Sequence, residues 1–235
     1  MSSKSNFKLY SDPHLISEMI SILHKTYPTA DCTLNFDSAW GLLLGGIIGA
    51  QCTDERVNMI TPLFLERFPA IADVSTAEIE EIETLIKRCG IYRNKAKAIK
   101  GSAIMIMKKF DGQVPDNEED LLKLPGVGRK IANLILSDYY GQPAIVVDTH
   151  CGRISRLLGL TGSKDPVKIE EELQLLLPKE EWISWGHLMV AHGRTICQAR
   201  CRKCGKCSLN NICAYGIQIE FDYKNEDDTD DKECY

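Results

Sequence analysis

Apolar side chains recur at helical intervals along most of this 235-residue chain. Near the N-terminus, Leu15, Met19 and Leu23 follow one another every four residues, which places them on one face of a helix. A longer apolar run covers residues 39–50. Strand-like patterns are almost missing, and only residues 143–147 are expected to be extended. The pattern therefore predicts an all-α fold.

Capping residues, glycines and prolines mark the ends of the predicted helices. Ser75 and Glu78 have the S-x-x-E spacing of a capping box, in which each side chain bonds a free backbone amide. Gly90 suits the end of the helix that would follow, and Asp37 suits the start of the apolar helix. Further helices are predicted over residues 94–109, 117–123 and 128–139, from 148 or 149 to about 159, from Asp165-Pro166 onward, and over 179–194.

The net charge of −5 is concentrated at the C-terminus. Residues 222–235 hold seven acids and two lysines, so residues 1–221 are neutral overall. This tail is nearly devoid of apolar residues, and we expect it to be disordered. A neutral body can still carry a basic face that binds nucleic acid. Such a face is indicated by the basic residues Arg194, Arg200, Arg202, Lys203 and Lys206, among which no acid occurs.

Membrane insertion and secretion are not expected. A bilayer-spanning helix needs roughly 18–20 apolar residues, and the longest apolar run, residues 39–50, is shorter and broken by glycines. The first ten residues lack the apolar segment of a signal peptide. We therefore expect a cytoplasmic protein with no membrane partner, associated with the nucleoid if its source is bacterial.

Five of the ten cysteines crowd into seventeen residues. Without a secretory signal, this clustering indicates a metal site rather than a disulfide framework. Cys197, Cys204, Cys207 and Cys213 have the spacing C-x6-C-x2-C-x5-C. Four thiolates at this spacing fit either a [4Fe–4S] cluster or zinc. Cys201 falls inside the first spacer, where it is either an alternative ligand or a bystander.

A glycine-containing turn joins two of the predicted helices. Residues 124–130 read L-P-G-V-G-R-K. Gly126 and Gly128 permit a tight turn and a close approach to another surface. The second helix begins near Gly128, and the free amides at a helix start bind phosphate. Such contacts hold DNA without reading its bases, whereas a generic P-G-x-G turn only connects helices.

These residues carry a resemblance to a known family. The string at residues 124–130 matches the helix-hairpin-helix signature, and with Lys130 in place the chain resembles the endonuclease III family. Three other segments are similar to that family: the region of residues 42–58 with its Q-x-T-D element, residues 89–96 (C-G-I-Y-R-N-K-A) and residues 146–150 (V-V-D-T-H). The cysteine spacing also resembles the family's cluster, which implies [4Fe–4S] rather than zinc.

The resemblance implies a bifunctional DNA glycosylase and AP lyase of base excision repair. Its implied substrates are oxidised pyrimidines such as thymine glycol, and abasic sites, in double-stranded DNA. Lys130 would attack C1′ of a flipped nucleotide and form a Schiff base, after which β-elimination cuts the strand. Asp148 would stabilise positive charge on the sugar or accept the lysine's proton. The plain alternatives are a surface lysine and a helix N-cap.

By the same resemblance, several residues would contact DNA. Gln51 would fill the gap left by the flipped nucleotide, and Ile91 would wedge the opposite side. The alternative for Ile91 is a core residue, and the alternative for Asp54 is a cap or loop hydrogen bond. The expected DNA-binding set is Gln51, Asp54, Ile91, Gly126, Gly128, Arg129, His150, Arg153, Arg200 and Lys203.

The implied fold has two helical lobes in a monomer. One lobe covers residues 30–143 and carries the hairpin. The other combines residues 1–29 with residues 144–215 and holds the cluster loop, and residues 216–235 form the acidic tail. DNA is expected in the cleft between the lobes, with Lys130 facing Asp148.

Two rival functions predict different residues. The adenine glycosylase branch shares the hairpin and the cluster, but it typically lacks the lysine at position 130. It also uses a glutamate ahead of the Gln51 region, where this chain has no acid between Asp37 and Asp54. A DNA-binding module with a structural metal but no catalysis would need neither Lys130 nor Asp148.

Overall fold

The computed structural model describes residues 10–218, and the secondary structure of this part is helical. The all-α prediction is confirmed. Residues 216–218, expected to begin the disordered acidic tail, are helical instead. Residues 219–235 lie outside the described residues, so the disorder expected there stays a prediction. The helices are α1 (Pro13–Thr26), α2 (Ala39–Gly49), α3 (Asp54–Arg67), α4 (Ile71–Thr76), α5 (Ile79–Ile86), α6 (Tyr92–Lys109), α7 (Glu118–Leu121), α8 (Arg129–Leu134), α9 (Thr149–Leu158), α10 (Pro166–Leu176) and α11 (Trp182–Thr195).

Several predicted helix ends are confirmed. Asp165 caps α10 and is followed by Pro166 in the first turn. Gly159 ends α9 with a left-handed φ of 86°, which glycine adopts without steric cost. The helix predicted over residues 128–139 is present, with α8 continuing as a π-helical turn, Ile135–Tyr139. Residues 143–147 form neither helix nor strand.

Two predicted N-terminal caps are wrong. Ser38 rather than Asp37 caps α2, because its Oγ accepts the N–H of Gly41 at 3.0 Å. Ser75 caps nothing; it lies inside α4, where its hydroxyl donates to the carbonyl of Ala72 at 2.7 Å. The capping box fails because the segment before it forms a helix of its own.

The helix after this failed box also ends early. Glu78 stands at the N-cap of α5 without a side-chain capping bond, and α5 ends at Ile86. Gly90 is therefore not its C-cap. It lies instead in the turn before α6, directly ahead of Ile91, which is the N-cap residue of α6.

The chain forms two compact units. The first, here called the hairpin unit, is Cys32–Ala144, and the second, the cysteine unit, combines Met1–Asp31 with Ile145–Tyr235. In the hairpin unit α2 is buried on all its faces, which is typical of a helix at the centre of a core. The core of the cysteine unit includes Met19 and Trp185, both fully buried. Among residues 10–218, no helix is long and apolar enough to cross a membrane.

Candidate functional site

The hairpin between α7 and α8 lies directly against α6. Gly126 has a left-handed φ of 80°, and a Cβ at this position would stand 2.6 Å from the Cβ of Ala98. On the same face, the hydroxyl of Ser102 donates to the carbonyl of Pro125 at 2.7 Å. Glycine is therefore required here, both for the backbone conformation and for the close approach to α6.

Lys130 is exposed in the first turn of α8. Gly128, the N-cap of α8, faces open space, because no atom lies within 4 Å of where its Cβ would be. Arg129 pairs with the carboxylate of Glu118, with an N–O distance of 3.2 Å. No ion pair of Lys130 is found within residues 10–218, so its amine is open to a ligand.

Two loops of the hairpin unit present exposed residues on unfavourable backbone. Gln51 has a φ of 55° and Ile91 a φ of 51°. The left-handed region is rare for a β-branched residue, and such strain costs about 1–3 kcal/mol. The side chain of Ile91 is also 53% exposed, so it is not a core residue. An exposed apolar side chain held in a strained conformation points to a contact outside the chain.

A buried lysine that the sequence did not single out supports these loops. Lys95 is 4% exposed, and its Nζ donates to the carbonyl of Ile48 at 2.8 Å, near the end of α2. Burial lowers the pKa of Lys95 below its usual value. In the string N-K-A-K this lysine looks like a surface residue, so only the contact between helices could have identified it.

Asp54 begins α3 and binds a neighbouring loop. Its Oδ2 accepts the hydroxyl of Thr33 at 2.6 Å, while Thr53 is the N-cap residue of α3. The loop hydrogen bond given as the alternative for Asp54 is therefore present.

Asp148 occupies the N-cap of α9 in the cysteine unit. Its Oδ1 accepts the N–H of Cys151 at 2.7 Å, which uses one of its two carboxylate oxygens. The half-buried carboxylate also acts on its neighbour: burial, and next the charge of Asp148, raise the pKa of the Cys151 thiol to about 12. Capping alone would account for an aspartate here, so a catalytic role needs separate support.

His150 and Arg153 lie beside the first cysteine of the cluster pattern. One Nη of Arg153 donates to the carbonyl of Cys197 at 2.8 Å, and the other approaches its Sγ at 3.6 Å. Arg153 also contacts the Nδ1 atom of His150 at 3.4 Å. Gly193 of α11 faces the ring of His150, where any added Cβ would collide. The guanidinium of Arg153 is therefore held against the cysteine loop.

Four cysteines line one cavity. Cys197, Cys204, Cys207 and Cys213 surround a space of about 370 Å³ including its mouth, and Cys201 is not among the lining residues. Burial raises the pKa of three of these thiols, and that of Cys213 rises to about 11. A bound cation would reverse this effect, because it stabilises the thiolate form.

Polar groups surround the sulfur atoms. The Nε2 atom of buried His192 lies 3.7 Å from the Sγ of Cys207, and its Nδ1 lies 2.9 Å from the hydroxyl of Tyr27. Burial lowers the pKa of His192 to about 4. Arg202 lines the cavity and stacks on Tyr215 at 5.0 Å. Its buried Nε has no hydrogen-bond partner among the described residues, so a donor is available for an acceptor that fills the cavity.

The two remaining basic candidates differ in exposure. Arg200 is exposed, whereas Lys203 is half-buried and its Nζ donates to the carbonyl of Thr195 at 3.2 Å.

The candidate residues form two groups. The hairpin unit contains Gln51, Asp54, Ile91, Gly126, Gly128, Arg129 and Lys130, and the cysteine unit contains Asp148, His150, Arg153, Arg200, Lys203 and the four cysteines.

The chain is similar to known repair proteins over most of its length. A family model described as the HhH-GPD superfamily of base excision DNA repair proteins matches residues 44–179. An endonuclease III from Synechocystis sp. is 43% identical over 207 residues, which cover 88% of this chain and 94% of the relative. One from Bacillus subtilis is 39% identical, over 81% of this chain and 87% of the relative. A solved structure of a trapped endonuclease III–DNA covalent intermediate has a TM-score of 0.84 and 37% identity, covering 89% of this chain and 99% of that one.

Proposed function

The chain belongs to the endonuclease III family and is a base excision repair DNA glycosylase and AP lyase, and we propose that it removes oxidised pyrimidines by lysine Schiff-base chemistry. The proposed substrate is double-stranded DNA that contains thymine glycol, a similar lesion or an abasic site. A relative trapped covalently on DNA supports a mechanism that passes through a covalent intermediate.

The exposed amine of Lys130 carries this proposal. It follows the hairpin directly, and Gly126 holds that hairpin against α6. A nucleophile must be accessible to the reacting carbon, and this lysine is both exposed and without an ion pair among residues 10–218. A lysine of purely structural use would be expected to be paired or packed.

The reaction removes the base first and cuts the strand second. The Nζ of Lys130 attacks C1′, the bond from C1′ to the base breaks, and the base leaves with a proton. The bond from C1′ to the ring oxygen then breaks, and that oxygen takes up a proton. The opened sugar is now an imine of the lysine, which makes the C2′ hydrogen acidic. Removal of that proton expels the 3′ phosphate and cuts the strand. We assign two alternative roles to the carboxylate of Asp148: to stabilise positive charge on the sugar, or to accept the lysine's proton.

We assign the support of the distorted duplex to the two strained loops. Gln51 would replace the flipped nucleotide, and Ile91 would part the neighbouring base step. Their exposure and left-handed backbone support this role, because strained residues persist where function requires them.

Borohydride trapping tests the lysine mechanism. The wild type, Lys130→Gln and Lys108→Gln would each be incubated with a duplex that contains one thymine glycol or one abasic site. Lys108 is an exposed lysine of the same unit and serves as the matched control. We expect covalent complexes with the wild type and Lys108→Gln and none with Lys130→Gln. Trapping by Lys130→Gln at the wild-type level would contradict the assignment, and an undamaged duplex gives the background.

We further propose that the cavity of the cysteine unit holds a [4Fe–4S] cluster through Cys197, Cys204, Cys207 and Cys213. The four thiols face one space, and Arg202 offers it an unused buried donor, which fits a sulfur-rich group. When bound, the cluster would tie the four cysteines of this loop together and would supply a redox-active group. His192 and Arg153 would orient the cysteines through the contacts that they already make. Iron and acid-labile sulfide in the purified protein would support the cluster, and zinc without iron would contradict it.

We also propose that the enzyme acts as a monomer on DNA in the cytoplasm. The bacterial sources of its relatives support this location. Sedimentation of the free protein and of its complex with a single-lesion duplex would test the stoichiometry, and a mass of two chains would contradict it.

A further inference from the structure

Two thiols meet where the loop of Gln51 contacts the loop of Ile91. Cys52 directly follows Gln51, and Cys89 lies two positions before Ile91. The Sγ atoms of the two cysteines are 3.7 Å apart, and the S–H of Cys52 donates to Cys89. Both thiols are reduced in this structure. The pair therefore joins the two loops that carry the exposed, left-handed residues.

Contacts to backbone carbonyls also bring the same segments together. The guanidinium of Arg56 donates to the carbonyl of Arg88 at 3.4 Å. The carbonyl oxygen of Gln51 would lie 3.8 Å from a Cβ at Gly90. Because the loops already touch, a bond between the two sulfurs would require only a local shift.

The two thiols differ in accessibility. Cys52 is half-buried, so a small oxidant can reach it, whereas Cys89 is 1% exposed. Burial and the neighbouring thiol raise the pKa of Cys89 to about 11, while the charges of Lys95 and Arg56 lower it. Cys52 is thus placed to react first and Cys89 second.

We propose that Cys52 and Cys89 form a redox-sensitive dithiol, which a peroxide converts into a disulfide that locks the Gln51 loop to the Ile91 loop. In the first step the sulfur of Cys52 attacks one oxygen of hydrogen peroxide and the O–O bond breaks. The other oxygen leaves as hydroxide and takes the thiol proton, so that a sulfenic acid and water form. In the second step the sulfur of Cys89 attacks that of Cys52. The S–S bond forms, the S–O bond breaks, and the hydroxyl leaves with the thiol proton as a second water. The peroxide is reduced, and the two thiols are oxidised.

The bond would change how the loops meet DNA. A disulfide length of about 2.05 Å requires the sulfurs to approach by roughly 1.6 Å from their present distance. Displacements near 1 Å in a site can cost on the order of a hundredfold in rate. This consequence rests on the proposed roles of Gln51 and Ile91, whereas formation of the bond does not.

Peptide mapping without reduction tests the bond itself. The metal-containing protein would be treated with hydrogen peroxide, alkylated and digested with trypsin. Cleavage after lysine and arginine places Cys52 in the peptide of residues 26–56, which also contains Cys32, and Cys89 in the peptide of residues 89–93. We expect these two peptides to be joined in the wild type and in Cys32→Ser, and separate in Cys52→Ser and Cys89→Ala. A wild type without the joined species, or Cys52→Ser with it, would overturn the proposal.

Strand cleavage tests the locking of the loops. Oxidised wild type should cut a thymine glycol duplex at least about tenfold more slowly than its untreated sample, and dithiothreitol should restore the rate. Oxidised Cys52→Ser, compared with its own untreated sample, should keep its rate. An unchanged rate in protein that carries the joined peptides would overturn the locking. Failure of the untreated enzyme to cleave would instead count against the proposed function, and the mapping result would stand.

Discussion

The two units hold their candidate residues in opposite ways. In the hairpin unit, Gln51, Ile91 and Lys130 are exposed, and the first two occupy left-handed backbone. In the cysteine unit, Arg153 and His192 are at least half-buried and contact the cysteine loop. Exposed residues on strained backbone add little to stability, whereas buried residues in hydrogen-bond networks support their unit. Substitutions in the first group should therefore reduce activity, and substitutions in the second should reduce stability and metal content.

The largest effect is expected from one of the four cysteines proposed to hold the cluster. Cys213→Ser should lose most of the bound iron and lower the melting temperature by several degrees, because metal binding contributes directly to folding. Iron content and thermal unfolding followed by circular dichroism would measure both effects. Cys201 does not line the cavity, so Cys201→Ser should retain its iron and serves as the control for iron content. Equal iron loss in the two variants would make Cys201 a ligand.

Asp148 is the exception to test, because it lies in the cysteine unit but is both a helix cap and the proposed catalytic carboxylate. Asn is as good an N-cap as Asp, so Asp148→Asn should leave the melting temperature nearly unchanged. The single-turnover cleavage rate should fall about a hundredfold or more, since the charge is lost. Asp165→Asn, which changes the cap of α10 in the same unit, is the control and should cleave normally. Full activity of Asp148→Asn would reduce Asp148 to a cap.

Gly126 is the position where the hairpin unit should lose stability. Gly126→Ala places a Cβ 2.6 Å from Ala98 and requires a left-handed backbone, so we expect a loss of roughly 1–3 kcal/mol in the free energy of unfolding. Urea denaturation would measure it. Gly128→Ala meets open space at a φ of −102° and should cost less than about 1 kcal/mol. Equal losses of stability in the two variants would show that the close approach of Gly126 to α6 does not cause the loss.

The smallest effect should be a gain in stability at Ile91. Replacement by glycine removes the left-handed strain, so Ile91→Gly should be more stable by up to about 1 kcal/mol. Its cleavage of thymine glycol DNA should fall about tenfold, because the proposed apolar wedge is gone. Ile91→Leu keeps an apolar side chain and should retain most of the activity. A destabilised Ile91→Gly would show that the side chain supports the fold.

Local patterns were sufficient for much of the helical structure. Asp165-Pro166 and Gly159 mark helix ends through the conformation of a few neighbouring residues, so the sequence predicts them well. The cap at Ser38 was missed because Asp37 and Ser38 are adjacent polar residues that compete for one position. The N-cap residue of α4 is Ala70, which makes no side-chain capping bond, so the start of α4 has no polar signal. Ser75 has the right spacing for a capping box, but it lies inside a helix.

Contacts between distant residues could not be predicted from spacing. Lys95 bonds the carbonyl of Ile48, forty-seven positions away. Arg153 bonds Cys197, forty-four positions away. Such pairs depend on how helices pack, and nothing in the local sequence separates these basic residues from those that face solvent. The resemblance to a family identified the candidate residues, whereas the partners that hold them became visible only in three dimensions.

The contact between Gly193 and the ring of His150 has an evolutionary consequence. Any side chain at position 193 would overlap the imidazole. The presence of His150, forty-three positions earlier, therefore decides which residues position 193 tolerates. Position 193 should therefore change only in lineages that have already lost the histidine. A lineage that gave up the histidine would release position 193 to drift, and its return to glycine would have to come before the imidazole could be regained.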